Sequence, residues 1–260
     1  MKLAGKICVV TGGANGIGRA LCLRFAQEGA TVVVADRDGK GAAEVAALVK
    51  GTAATCDVAR EAEIAALVQS ALAQHGSIDL FVSNAGMVAS GGAEAADSGW
   101  ERSWNVNLMA HVWAARHVLA AMLARKEGYL LSTASAAGLL TSIGSAPYAV
   151  TKHAAVAFAE WLSITHGGDG IRVSCLCPQG VETDLLRQAV REPGGKAVLA
   201  AGAVLSPEQV AEATVQGLAD ERFLILPHPE VATYMQRRAQ EHERWLSSMR
   251  GLHRKVTAAP

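Results

Sequence analysis

The chain has 260 residues, and its 24 Lys and Arg balance 24 Asp and Glu, a formal net charge of zero. That balance leaves no overall field to draw the protein to nucleic acid or to an anionic membrane surface, and it points to a small-molecule partner. Apolar residues make up 50% and charged residues only 18%, against roughly a quarter in typical domains, so much surface is expected to be buried in one large core or between subunits.

The N-terminal "MKLAGKICVV" has one short apolar run and neither the long apolar region nor the small-residue cleavage site of a secretory signal. Cys8, Cys22, Cys56, Cys175 and Cys177 are odd in number and lie in apolar segments, which suits reduced core cysteines and a cytoplasmic protein. Cys175 and Cys177 have no histidine pair at ligand spacing beside them, so no metal site is expected.

Strand-length apolar runs recur at "KICVVT", "TVVVAD", "GTAATCDV", "IDLFVSN", "GYLLSTAS", "IRVSCLCP" and "RFLILP". They lack clean polar alternation, as strands covered on both faces do. Ala-rich segments with helical periodicity separate them, among them Gly16 to Glu28, Gly41 to Lys50 and Glu61 to His75. Strand and helix alternating along the whole chain predict a single α/β domain, a doubly wound parallel sheet of Rossmann type.

The first strand runs into "TGGANGIG", with Gly12, Gly13, Gly16 and Gly18 directly before the first helix. A helix N-terminus offers unpaired N–H groups and a positive dipole end, and glycines let a pyrophosphate approach the backbone. A tight strand-to-helix turn would account for the same glycines. The second strand ends at Asp36, where a carboxylate can accept hydrogen bonds from both ribose hydroxyls and repel a 2′-phosphate, which favours NAD over NADP. Arg37 follows and could bind a phosphate. Capping the next helix is an alternative role for Asp36, one that Asp38 fills equally well.

Further along, "SAPYAVTK" places Pro147 at a first helical position and projects Tyr148 and Lys152 from one side of the helix. A nearby cation favours the phenolate, so the pair can supply an acid or base near neutral pH. Alone the pattern is weak, and an ordinary helix start explains it too.

Taken together and in order, these motifs resemble those of the short-chain dehydrogenase/reductase family, in its compact single-domain form. The similarity runs from about Lys6 to Thr183 and more loosely to Leu226. It implies that Gly12, Asn15, Gly16, Ile17 and Gly18 contact the cofactor, and that "CDV" sets Asp57 and Val58 at the adenine. "SNAG" supplies Asn84, Ala85 and Gly86, "NVN" supplies Asn107, and the family's serine falls thirteen residues before the tyrosine, at Ser135. Pro178, Gly180, Val181 and Thr183 follow the sixth strand, the last two holding the nicotinamide carboxamide. "CPQGVET" departs from the family's usual Pro-Gly, with Gln179 where glycine is expected. The resemblance implies hydride transfer between NAD and a secondary alcohol or ketone. Tyr148 acts as acid or base, Lys152 lowers its pKa and bonds the nicotinamide ribose, and Ser135 orients the reacting oxygen. Asn107 holds a relay water, satisfies backbone groups at a helix irregularity, or does both. An NADP-dependent reductase of acyl thioesters and a non-catalytic dinucleotide sensor are the alternatives.

Asp184 to Val204, with its "REPGGK" break, reads as a mobile substrate loop or lid, and its apolar content together with that of Met87 to Gly99 and Leu139 to Ala146 favours an apolar substrate. The C-terminal tail, about 231–255, carries Trp245, Met249 and Leu252 at helical spacing and is expected to pack on its own subunit or a neighbour. The helix from Tyr148 to His166 is apolar on more than one side, which with the low charged fraction predicts a homo-oligomer, tetramer or dimer, and the resemblance implies that this helix and the one from Asn107 to Ala124 pair with their symmetry mates. His111, His117 and His153 are assigned packing or surface roles.

Overall fold

The structure, a computed structural model, describes residues 1–189 and 193–258. The seven apolar runs form seven strands: β1 Ile7–Thr11, β2 Thr31–Asp36, β3 Thr52–Thr55, β4 Leu80–Ser83, β5 Gly128–Thr133, β6 Ile171–Leu176 and β7 Leu224–Ile225. They pair in parallel in the order β3-β2-β1-β4-β5-β6-β7. Parallel neighbours need crossovers, and α1 Gly16–Gln27, α2 Gly39–Val49, α3 Glu61–His75, α4 Asp97–Trp104, α5 Ala110–Arg125 and α6 Ala146–His166 supply them.

Alternation within each strand feeds a core on each face of the sheet. Val9, Val33 and Phe81 pack with Ile64 of α3, Met122 of α5 and Leu162 of α6. Val10, Val34 and Val82 point the other way, to Leu21 of α1 and Val45 of α2, where α9 Pro207–Ala219 adds Val210. Each fully buried side chain of this size contributes about 1.5–3 kcal/mol, more than a typical exposed ion pair, so burial is what binds the helices to the sheet.

The strand order reverses between β1 and β4. There Thr11 Oγ1 donates to Val82 O at 3.1 Å and accepts from Asn84 N at 3.0 Å, while Asn84 Nδ2 donates to Thr11 O at 3.0 Å. These bonds hold the two strand ends together at the switch point, where open α/β sheets bind their ligands.

The stretch from Asp184 to Val204 forms α7 Asp184–Ala189 and α8 Pro193–Ala201; Val190, Arg191 and Glu192 of its break lie outside the described residues. The proline that signalled a break opens α8, a position where its missing N–H would have no intrahelical partner. Similarly, α6 starts at Ala146 after Ser145, so Pro147 takes the second helical position. The tail forms α10 Glu230–Gln240 and α11 His242–Thr257. No helix among the described residues is long and apolar enough to cross a membrane.

Candidate active site

A cavity of about 1470 Å³ is lined by residues that follow β1 (Gly12), close β2 (Asp36) and follow β4 (Asn84), β5 (Ser135) and β6 (Pro178), that is, by the carboxyl ends of the strands. Small-molecule sites typically occupy about 300–1,000 Å³, so there is room for a ligand of dinucleotide size. The N-terminus of α1 opens onto it. Asn15 precedes the helix in extended backbone with no side-chain cap, and the first turn holds no acidic residue, so its N–H groups and positive dipole end are left to an anion. Glycine is required on steric grounds here. Gly12 has φ +66°, and a Cβ on Gly18 would stand 2.0 Å from Gly12 O.

At the end of β2 the Asp36 carboxylate is held by backbone donors, Oδ2 accepting from Ala14 N at 3.1 Å and Oδ1 from Asp38 N at 3.0 Å. Capping of α2 falls to Asp38, which accepts from Gly41 N at 3.0 Å. Asp36, Arg37, Asp57 and Val58 all border the cavity.

Across three strand spacings, about 14 Å, lie Ser135, Tyr148 and Lys152. Ser135 starts a tight turn after β5; its Oγ accepts from Ala137 N at 3.1 Å, makes only a long contact of 3.4 Å with Pro178 O, and stands by the Tyr148 oxygen, where its O–H favours the phenolate. One turn of α6 separates Tyr148 from Lys152, whose Nζ is 5.7 Å from the phenol ring centroid and donates to Thr133 O at 2.9 Å. Burial brings the Lys152 ammonium down to about 8. Burial also raises the Tyr148 phenol above its ordinary value, and the hydrogen bond with Ser135 opposes that rise. Loss of hydration around the phenol is the largest of these influences.

Asn107 sits in a π-helical turn, Asn105–Met109, between α4 and α5. It lies behind the cavity wall and is fully buried: its Oδ1 accepts from Met87 N at 2.9 Å, and its Nδ2 donates to Met87 O at 3.0 Å and Thr151 Oγ1 at 3.1 Å. One turn on, His111 is buried with neither ring nitrogen partnered among the described residues, and burial with Lys152 nearby takes it down to about 3, the neutral form.

Of the residues singled out in the sequence, Asn15, Gly16, Ile17, Gly18, Ala85, Gly86, Val181 and Thr183 also border the cavity. Gly180 does not, and a Cβ there would meet Val198 and Val204. Thr183 Oγ1 donates to Val181 O at 3.2 Å and accepts from Leu186 N at 3.3 Å at the start of α7. His228, which no local pattern marks, secures the unusual "PQG" stretch. Its Nδ1 accepts from Gln179 N and its Nε2 donates to Gly180 O, both at 3.1 Å, which fixes the tautomer. The tail helices, expected to pack on a subunit surface, border the cavity through Tyr234, Trp245, Met249 and Leu252.

These features fit a dinucleotide: an uncapped helix N-terminus, a glycine turn with no room for a Cβ at Gly18, and a braced carboxylate at the end of β2. The family model described as short chain dehydrogenase matches residues 6–194. Momilactone A synthase of Oryza sativa subsp. japonica is 39% identical over 197 residues, 73% of this chain and 71% of that protein. A mitochondrial borneol dehydrogenase of Lavandula x intermedia is 32% identical over 230 residues, 87% and 88% of the two chains. The crystal structure of a short chain dehydrogenase/reductase from Burkholderia phymatum in complex with NAD superposes with a TM-score of 0.85 at 28% identity, covering 94% of this chain and 96% of that one.

Proposed function

The chain belongs to the short-chain dehydrogenase/reductase family of oxidoreductases, and from that premise we propose that it moves a hydride between NAD and an apolar secondary alcohol or its ketone. The observation that carries this reading is the convergence of Ser135, Tyr148 and Lys152 on a cavity that Asp36 also borders three strands away.

When bound, NAD supplies the hydride acceptor, and its reduced form the donor. The N-terminus of α1, from Gly12 to Gly18, holds the pyrophosphate, Asp36 the adenosine ribose, and Asp57 with Val58 the adenine. Lys152 bonds the nicotinamide ribose, while Val181 and Thr183 hold the carboxamide. Tyr148 works at the substrate oxygen: as phenolate it takes the hydroxyl proton, and as phenol it returns one to the ketone. Ser135 hydrogen-bonds the same oxygen and holds it against the phenol. Asn107 clamps both backbone groups of Met87, and a relay water linking Lys152 to solvent would bind beside it.

NAD is preferred to NADP because the braced Asp36 carboxylate repels a 2′-phosphate, and the NAD complex of the Burkholderia phymatum protein supports that preference. The apolar substrate class has support in the name of the Lavandula relative, since borneol is a bicyclic secondary alcohol. Nicotinamide absorbance with a panel of secondary alcohols and both oxidised cofactors tests the proposal. It expects turnover with NAD well above that with NADP, and a preference for NADP would overturn the role given to Asp36.

A further inference from the structure

Trp245, Met249 and Leu252 follow one another at four and three residues along α11, and all three border the active-site cavity. The Arg238 side chain ties that helix to the catalytic elements. The Arg238 guanidinium on α10 stacks on the Trp245 ring, 4.9 Å from its centroid, and its Nη1 donates to Leu139 O at the end of the turn begun by Ser135. The same Nη1 lies 3.3 Å from His153 Nε2. His153 Nδ1 is 2.8 Å from Ala149 O, a carbonyl that can only accept, so Nδ1 carries the proton and Nε2 accepts from Arg238. One guanidinium therefore joins α11 to the Ser135 turn and to α6, one residue beyond Lys152.

We propose that α11 is the substrate-facing wall of this active site: Trp245 and Met249 contact a bulky alicyclic alcohol, and Arg238 is the positioning residue that sets that wall relative to Ser135 and Tyr148. The inference rests on the hydride-transfer reading and adds to it the element that selects the substrate. Apolar side chains also line the cavity on other elements, Met87, Val88, Leu140 and Ile143 on the loops after β4 and β5 and Val198 on α8, while Arg237, Glu241 and Arg244 give the tail helices a polar border. A flat indole against such surroundings offers a large rigid apolar contact with little conformational freedom to lose. A small alcohol would reach Tyr148 without touching it.

The test compares borneol with 2-butanol, using NAD as cofactor. Wild type should favour borneol, and Trp245→Ala and Arg238→Ala should each lower the borneol to 2-butanol ratio of kcat/KM by about tenfold, the scale of a few buried apolar groups. The loss should fall on KM for borneol, and Trp245→Phe should retain most of the preference. An unchanged ratio, or an equal loss on both alcohols, overturns the proposal. If wild type oxidises neither alcohol, the hydride-transfer reading is what has failed. Calorimetry of borneol binding to the NAD-loaded enzyme then decides the wall by itself. Weaker binding by both alanine variants upholds it; equal binding, or no binding by wild type, overturns it.

Discussion

At Tyr148 opposed influences act on one phenol: burial and the nearby Cys177 favour the neutral form, and the Ser135 hydroxyl favours the phenolate. Replacing Ser135 by Ala removes only the last, so the phenol should rise further. Alcohol oxidation needs the phenolate, and the rising limb of kcat/KM should therefore move to higher pH; an unmoved limb would detach Ser135 from the proton transfer. Lys152 carries the opposite problem. The residue is only 3% exposed, and lowering its ammonium from 10.5 to about 8 corresponds to about 3 kcal/mol of folding stability lost. That cost is complete below pH 8, where both states are protonated, and fades as pH rises toward 10.5, because over that interval the unfolded chain alone still binds the proton. Lys152→Met should thus unfold at higher denaturant than wild type at pH 7 in the absence of ligands, with the gap narrowing by pH 10, and a gap independent of pH would contradict this. At Asp36 the prediction concerns cofactor choice. Asp36→Ala beside the retained Arg37 should shift competing titrations toward NADP, since the repelling carboxylate is gone and a cation remains.

The strand-to-helix turn at α1 is the element on which the cofactor reading depends most. A Cβ at Gly18 would meet a backbone carbonyl that cannot swing aside, so Gly18→Ala should cost about 1–3 kcal/mol by overpacking and weaken NAD binding together with thermal stability. Calorimetric titration and thermal unfolding of the variant check both losses, and normal NAD affinity would show that the turn does not hold the pyrophosphate. This turn was legible in the sequence because its whole logic is local: apolar run, glycines, helix. Most strands were legible for the same reason, being short Val, Ile or Leu runs that must be covered on both faces, whereas the edge strand β3, Thr-Ala-Ala-Thr, is half exposed and showed mainly through its place in the alternation. The region after β6 was not, because its proline and glycines serve equally as a break or as a helix start, and only packing chooses. His228 and Arg238 were invisible for a different reason. Their partners lie 49 residues away at Gln179 and 99 residues away at Leu139, and no periodicity reports a contact made by folding across the sheet. Asn107 stood out through its motif, but its clamp on Met87 joins two elements 20 residues apart and became visible only in three dimensions.

For the molecule as a whole, the tail helices border the cavity and leave one apolar surface uncovered. On α6, Val150 is 47%, Trp161 54% and Ile164 85% exposed, with Trp104 of α4 at 42%. Large apolar groups on the helix that carries Tyr148 and Lys152 are costly to leave in water, and a symmetry mate can cover them while bracing that helix. We propose a symmetric dimer or tetramer through this face. Sedimentation at micromolar concentration should show an oligomer, and Trp161→Glu with Ile164→Glu should shift it toward monomer; an active wild-type monomer would contradict the assembly. Hydride transfer with Tyr148 as acid or base is the central proposal for this protein, and one measurement reaches it directly. A secondary alcohol deuterated at its carbinol carbon is incubated with NAD and either wild type or Tyr148→Phe, and the reduced nicotinamide is analysed by mass spectrometry. Deuterium should appear on the nicotinamide with wild type and at least about a hundredfold more slowly with Tyr148→Phe, the usual scale for losing a general base. Absence of label with wild type, or equal rates in the two proteins, would contradict the account.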